Sequence, residues 1–206
     1  IVGTAISYTL GCLIGALSGY AGGWVDTVIM RLVENIMSVP TIYLLTALAA
    51  VLPVQISNTQ RFVGIVAIIS LLGWAGLARV VRGQVLAIKE EPFVAAAQVM
   101  GASPLRIVWR HILPQTASYL AISATRAIPG FMEAEATLSL IGLGIQPPDP
   151  SWGNMLAAST NASVLVLQPW AIAAPAGALV LVVLCFNLVG DGLRDALDPR
   201  ERPRGS

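Results

Sequence analysis

The chain has 206 residues, 56% of them hydrophobic and only 11% charged, with a mean hydropathy of +0.76. Soluble domains carry roughly 25% charged residues, so this composition excludes an ordinary soluble globular protein and indicates a multi-spanning membrane protein. Twelve basic against eleven acidic residues leave a net charge of +1 and no global field that would attract nucleic acid.

The first apolar run covers residues 1–20, close to the roughly 20 residues that cross a bilayer. It has no basic leading region and no small-residue cleavage site, so it reads as a span rather than a signal peptide. A chain that begins inside such a run implies a segment before it. Small residues recur every fourth position, at Gly3, Ser7, Gly11, Gly15 and Gly19, a stripe that lets a second helix pack backbone to backbone in lipid. Gly22-Gly23 breaks this helix. Residues 24–37 are amphipathic and carry Asp26, Arg31 and Glu34, as an interfacial helix would. Pro40 opens a second span to residue 52, short unless the end of the preceding helix dips into the membrane. Residues 53–61 form a polar loop, and the third span, residues 62–78, runs on through Arg79, Arg82 and Lys89.

Residues 90–114, EEPFVAAAQVMGASPLRIVWRHILP, interrupt the oily sequence. Pro92 suits a first helical position, Gly101 suits the turn that ends a helix, and Ser103-Pro104 reads as an N-cap followed by a first turn. The stretch therefore spells helix, stop, helix. Ala95, Ala96 and Ala97 make the first helix plain enough for close approach by a partner, and the second carries Arg106, Arg110 and His111 before meeting Leu113-Pro114. The fourth span, residues 115–143, contains Arg126, Pro129, Gly130, Glu133 and Glu135. A loop at 144–167 follows, in which Pro147, Pro148 and Pro150 forbid helix and Trp152 suits a membrane interface. Residues 169–190 are the fifth span, and the tail at 191–206 is of mixed charge. The expected architecture is an all-α, polytopic transmembrane helical bundle, with a membrane domain at 1–190 and a C-terminal tail at 191–206.

Charge placement orients this bundle. Arg31, Arg79, Arg82, Lys89, Arg106, Arg110, Arg194, Arg200, Arg202 and Arg204 fall on one side, leaving Arg61 on the other and Arg126 within a span. By the positive-inside rule, the 90–114 loop and the C-terminus are cytoplasmic. Five spans then leave Ile1 outside, and the simplest completion is one further N-terminal helix, making six.

No constellation for bond-making is present. A single histidine cannot supply a multi-His metal site, His111 reads as an interfacial structural residue, and no Gly-rich phosphate loop ends in Lys-Ser or Lys-Thr. Cys12 and Cys185 sit in apolar runs, where a thiol behaves as a small hydrophobe. We assign no catalytic, cofactor-binding or metal residues, and any energy source must lie on another chain. Intramembrane charge is the best pointer to a path, because an ionisable group at the bilayer centre costs about 2.5–3.5 kcal/mol on insertion scales. Arg126 and Glu133 are seven apart and share a helical face unless Pro129-Gly130 breaks the register, whereas Glu135 points elsewhere. They read either as contacts for a zwitterionic peptide or as an internal or intersubunit ion pair. The ion pair is favoured because the region is expected near the outer surface, where charge is cheap.

The 90–114 stretch resembles the cytoplasmic loop of ABC importer permease subunits, whose pattern is Glu-Ala-Ala, three residues, Gly, nine residues, Ile, one residue, Leu-Pro. Gly101 as anchor places Ala96, Ala97 and Leu113-Pro114 in register, with Ala95 in place of the Glu and His111 in place of the Ile. AGGWVDTVIMRLVE, LARVVRGQVL, EATLSLIGLGIQPPDPSWGNML and NLVGDGLRDALDPR are similar to the dipeptide, oligopeptide and nickel branch of these permeases. The resemblance implies a non-catalytic subunit of a bacterial or archaeal plasma membrane importer. It implies a homologous permease partner, two cytoplasmic ATPases that carry the ATP and Mg, and an extracytoplasmic solute-binding protein. It further implies that Phe93, Val94, Ala95, Ala96, Ala97, Met100, Gly101 and Arg106 form the coupling element for the ATPases. Peptide is the expected substrate class, with nickel or another small solute as the alternative. An ion-coupled secondary carrier would show internal repeats and paired broken helices, and only the fourth span looks broken. A membrane scaffold without a transport role is the remaining class.

Overall fold

Glycine and proline punctuate the first third of the chain. The structure, a computed structural model, describes residues 1–53 and 55–197, and among these all regular structure is helical. The charged tail positions Asp198, Arg200, Arg202 and Arg204 lie outside the described residues. Helix α1 (Val2–Ala21) stops where Gly22 and Gly23 take φ values of 64° and 55°, a conformation that side chains disfavour. Helix α2 (Gly23–Ser38) ends at an extended Val39, as expected for a residue preceding proline, and α3 (Thr41–Ala50) follows Pro40. Helix α4 (Asn58–Ile88) has 31 residues. At 1.5 Å per residue it is about 46 Å long, well beyond the roughly 30 Å hydrocarbon core.

Then come α5 (Pro92–Val99), α6 (Pro104–Ile107), a π-helical turn (Val108–Ile112) and α7 (Leu113–Leu140). Short α8 (Trp152–Ala157) and α9 (Ala162–Leu167) flank a 3₁₀ turn, and α10 (Trp170–Leu197) carries the helix past residue 190 into the start of the tail. Pro114, expected to close the second helix of the polar stretch, does not interrupt the chain. The π-turn just before it bonds the Leu113 N–H to the Val108 carbonyl. This widened turn accommodates a proline that would otherwise strike the carbonyl four residues back.

Among the described residues three helices, α1, α4 and α10, are long and apolar enough to cross a membrane, and the pair α2 and α3, bent at their break, makes a fourth if counted as one span. Helix α7 has the length, at 28 residues, but Gln115, Thr116, Arg126, Glu133 and Glu135 keep it outside that apolar class. It is the one expected span that composition alone does not mark.

The chain forms two compact units. One comprises Ala5–Pro40 and Leu71–Ala121. In it the glycine stripe brings the α1 backbone onto α4. A Cβ on Gly15 would stand 2.5 Å from the Ala78 carbonyl oxygen, one on Gly19 would stand 2.9 Å from that of Arg82, and one on Gly11 2.8 Å from Leu77. The second unit comprises Ile1–Thr4, Thr41–Ser70 and the described part of Ile122–Ser206. There a Cβ on Gly3 would meet the Phe131 ring at 2.8 Å, and Gly153 lets α8 pack against the Ala136 carbonyl. Arg61, expected in an outer loop, is buried in the first turn of α4 and donates to the Pro53 carbonyl at 3.3 Å. Helix α7 ends in a Schellman motif: Leu143 N–H bonds to Leu138 O at 2.8 Å, Gly142 N–H bonds to Ser139 O at 3.1 Å, and Gly142 has φ 81°. Asn58 Nδ2 donates to the Gln146 carbonyl at 2.8 Å, tying the following loop to the start of α4.

Close helix approach at Gly15 sets up a direct contrast with Gly83, whose Cβ would meet nothing within 4 Å. Gly15→Val should destabilise the detergent-solubilised protein by about 1–3 kcal/mol through overpacking. Gly83→Ala should leave the thermal midpoint unchanged or raise it, because alanine is the better helix former. Thermal unfolding of both variants checks this.

Candidate functional site

Residues 90–114 are built by local capping. Pro92 occupies the first turn of α5, where its missing N–H costs nothing, and the Glu91 carbonyl accepts from Val94 N at 2.9 Å. At the other end Ala102 N–H bonds to Ala97 O at 3.0 Å and Gly101 N–H bonds to Gln98 O at 2.9 Å, with Gly101 at φ 79°. This is a complete Schellman motif, and it needs glycine at that position. Ser103 Oγ then accepts from Arg106 N at 3.4 Å with Pro104 in the first turn, so α6 starts on a side-chain cap.

The two faces of α5 are unlike. Val94 is 0% exposed and Ala97 2%, both in a core cluster with Ala16 of α1, Val81 and Val85 of α4, Ile107 of α6 and Ile112 of the π-turn. Phe93, Ala95 and Ala96 are exposed, and Val99 and Met100 reach 89% and 79%. Leu105 and Trp109 extend this exposed apolar surface. Of the residues expected to couple, Val94 and Ala97 therefore root the helix, and the remainder of α5 presents a surface. Ala97, Met100, Ala102, Arg106, Arg110 and His111 line a shallow cavity of about 220 Å³.

A polar cluster fixes the helices under this element, and the sequence reading did not find it. The Arg82 guanidinium donates to both Asp26 carboxylate oxygens, from Nε at 2.6 Å and from Nη2 at 2.5 Å, and Ser18 Oγ donates to Oδ1 at 2.5 Å. Asp26 thereby joins the end of α1, the first turn of α2 and α4. Lys89 Nζ reaches the Gly19 carbonyl at 3.5 Å, placing a cation beside the carbonyl-rich end of α1. The only sequence signal was that Asp26 and Arg82 each lie in a family-like stretch.

The three charged residues proposed for the path do not come together. Helix α7 runs unbroken through Pro129, so Arg126 and Glu133 keep their common face. Arg126 instead pairs with Asp191 of α10 at 3.4 Å, both largely exposed. Glu133 is exposed and has no side-chain partner among the described residues, and Glu135 accepts from Ser139 Oγ at 2.5 Å. Among the described residues no three His, Cys, Asp or Glu side chains gather as a metal set.

These features define a helical integral-membrane protein with a capped surface helix held between two of its long helices. The chain belongs to the family of binding-protein-dependent transport system inner membrane components, matching it over residues 11–203. It is 41% identical over 202 residues to the oligopeptide transport system permease protein OppC of Haemophilus influenzae, covering 98% of this chain and 62% of that protein. Identity to OppC of Mycobacterium tuberculosis is 39% over 197 residues, covering 96% of this chain and 66% of that one. The chain thus spans less than two thirds of the length of these curated relatives. A chain from the solved structure titled "Inward facing conformations of the MetNI methionine ABC transporter" shares the fold, with a TM-score of 0.62 at 21% identity and coverage of 96% and 92%. The family and its peptide-permease relatives agree with the likeness carried by the spacing around Gly101.

The Asp26–Arg82 pair is largely withdrawn from solvent, with side chains 15% and 31% exposed. Removing either partner leaves the other charge partly buried and should cost about 1–3 kcal/mol. A double-mutant cycle with Asp26→Asn and Arg82→Gln should show that the two losses are not additive. Denaturation of the single and double variants measures the coupling, and strict additivity would show that the pair does not interact.

Proposed function

We propose that this chain is the membrane core of a permease subunit in an ATP-driven importer of di- or oligopeptides. The observation that carries the reading is the division of α5 into a rooted face and an exposed apolar face, on an element joined at one end to α4 and at the other to α7. The exposed face suits a groove on a cytoplasmic ATPase. The buried face would pass any displacement into the ends of α1 and α4, and the unbroken run through the π-turn would pass it into α7. Nucleotide-driven closure of two such ATPases would then tilt long helices and open a central path alternately to each side.

Helix α7 is the polar member of five spans in a six-helix subunit, its charges facing the path or the partner permease rather than lipid. Of these charges Glu133, with no side-chain partner among the described residues, is the member placed to meet a passing solute, while Arg126 and Glu135 are held by Asp191 and Ser139. Together with a homologous permease the subunit forms the path, and an extracytoplasmic binding protein delivers the peptide. The 90–114 loop and the C-terminus lie in the cytoplasm by the distribution of Arg and Lys. ATP and Mg belong to the partner subunits, and this chain contributes no catalytic group.

Peptide uptake into vesicles containing the full-length protein, its ATPases and binding protein should require ATP. Uptake without ATP or the ATPases would sink the proposal. In a background lacking Cys12 and Cys185, Ala96→Cys and Val99→Cys should crosslink to the ATPase, whereas the buried Ala97→Cys should not. Absence of any crosslink from the exposed positions of α5 would count against the docking face.

A further inference from the structure

The strongest charge feature left unexplained is the basic end of the 90–114 element. Three arginines elsewhere have acidic partners within the chain: Arg82 with Asp26, Arg126 with Asp191, and Arg31 with Glu34 at 3.7 Å. The Arg106 and Arg110 guanidiniums and the His111 ring have no hydrogen-bond or ion-pair partner among the described residues. All three line the cavity beside α5, with Ala97, Met100 and Ala102 as its apolar wall. The acids of the element, Glu90 and Glu91, stand before the first turn of α5, and Ala95 occupies the position where the family pattern has Glu.

We propose that this cavity receives an acidic side chain of the ATPase subunit, held by Arg106 and Arg110 with His111 at its edge. The inference rests on the docking role given to α5 above and adds its electrostatic polarity: the permease supplies the cations and the ATPase the carboxylate. A cavity of about 220 Å³ holds a carboxylate with room for water, each water taking about 30 Å³. Two guanidiniums one helical turn apart offer forked donors, and arginine matches a planar carboxylate better than lysine does. Ala97 of α5 and Met100 just after it belong to the same cavity wall as the two guanidiniums, so a chain seated on α5 lies within their reach, which favours a protein over a lipid headgroup.

The test uses the full-length protein carrying Ala96→Cys, with its purified ATPase subunits, in nanodiscs of neutral phosphatidylcholine or with added anionic phosphatidylglycerol. The combined Arg106→Gln and Arg110→Gln variant should lower the crosslink yield about tenfold in both lipids, and unsubstituted protein should lose yield as salt is raised while the variant does not. The Arg106→Lys and Arg110→Lys variant, which keeps the charges, should retain most of the yield. Equal loss in the Lys and Gln variants overturns the proposal, because charge is then not what is read. A loss confined to anionic lipid also overturns it, assigning the guanidiniums to headgroups. Unchanged yield in the Gln variant removes the acid contact and leaves docking intact, whereas no crosslink from the unsubstituted protein removes docking itself.

Discussion

Val94 and Ala97 are packed into one cluster with Ala16, Val81, Val85, Ile107 and Ile112, and the form of residues 90–114 depends on that burial. An eight-residue helix has little stability of its own, since nucleation is costly and few hydrogen bonds repay it. Its position comes from two small apolar side chains set three apart on one face, and its length from Pro92 at one end and Gly101 at the other. The cluster forms only because α1 approaches α4 closely enough at Gly15 and Gly19 to bring Ala16 into the same core. The glycine stripe near the start of the chain and the polar element in the middle are therefore parts of one arrangement.

Electrostatics divides the same region into fixed and available charge. Asp26, Arg82 and Ser18 satisfy one another where α1, α2 and α4 meet, and Lys89 adds a cation at the α1 carbonyl end. A bidentate pair in these surroundings specifies geometry more than it adds stability, because desolvation offsets much of the attraction. Arg106 and Arg110, past the Gly101 turn, remain unmatched among the described residues. The helices under α5 are thus locked from within, while the surface beside it keeps charge for a partner.

What could be read from sequence was mostly what is decided locally. Pro92, Gly101 and Ser103-Pro104 specify helix, stop, helix through caps that act over a few residues, and the observed caps use those same residues. Gly22-Gly23 and Pro40 punctuate the start of the chain for the same reason. Continuity through Pro114 was not legible, since a π-turn is a choice of hydrogen-bond register that proline alone does not announce. The Asp26–Arg82 bond joins residues 56 apart, and periodicity carries no record of such a pair. Arg126 reads as a charge inside its span on a face shared with Glu133, and only the fold brings it to Asp191. The four-residue spacing of glycines foretold a close helix contact but could not say that α4 supplies it.

If α5 acts as a rooted lever, loosening its root should separate hydrolysis from transport. Ala97→Leu overfills the cluster beneath α5 while leaving the exposed face chemically unchanged. The ratio of peptide imported to ATP hydrolysed, measured with the complete transporter in proteoliposomes, tests this most directly. The account predicts that hydrolysis continues while the ratio falls steeply. Import and hydrolysis both unchanged in the Ala97→Leu protein would contradict it.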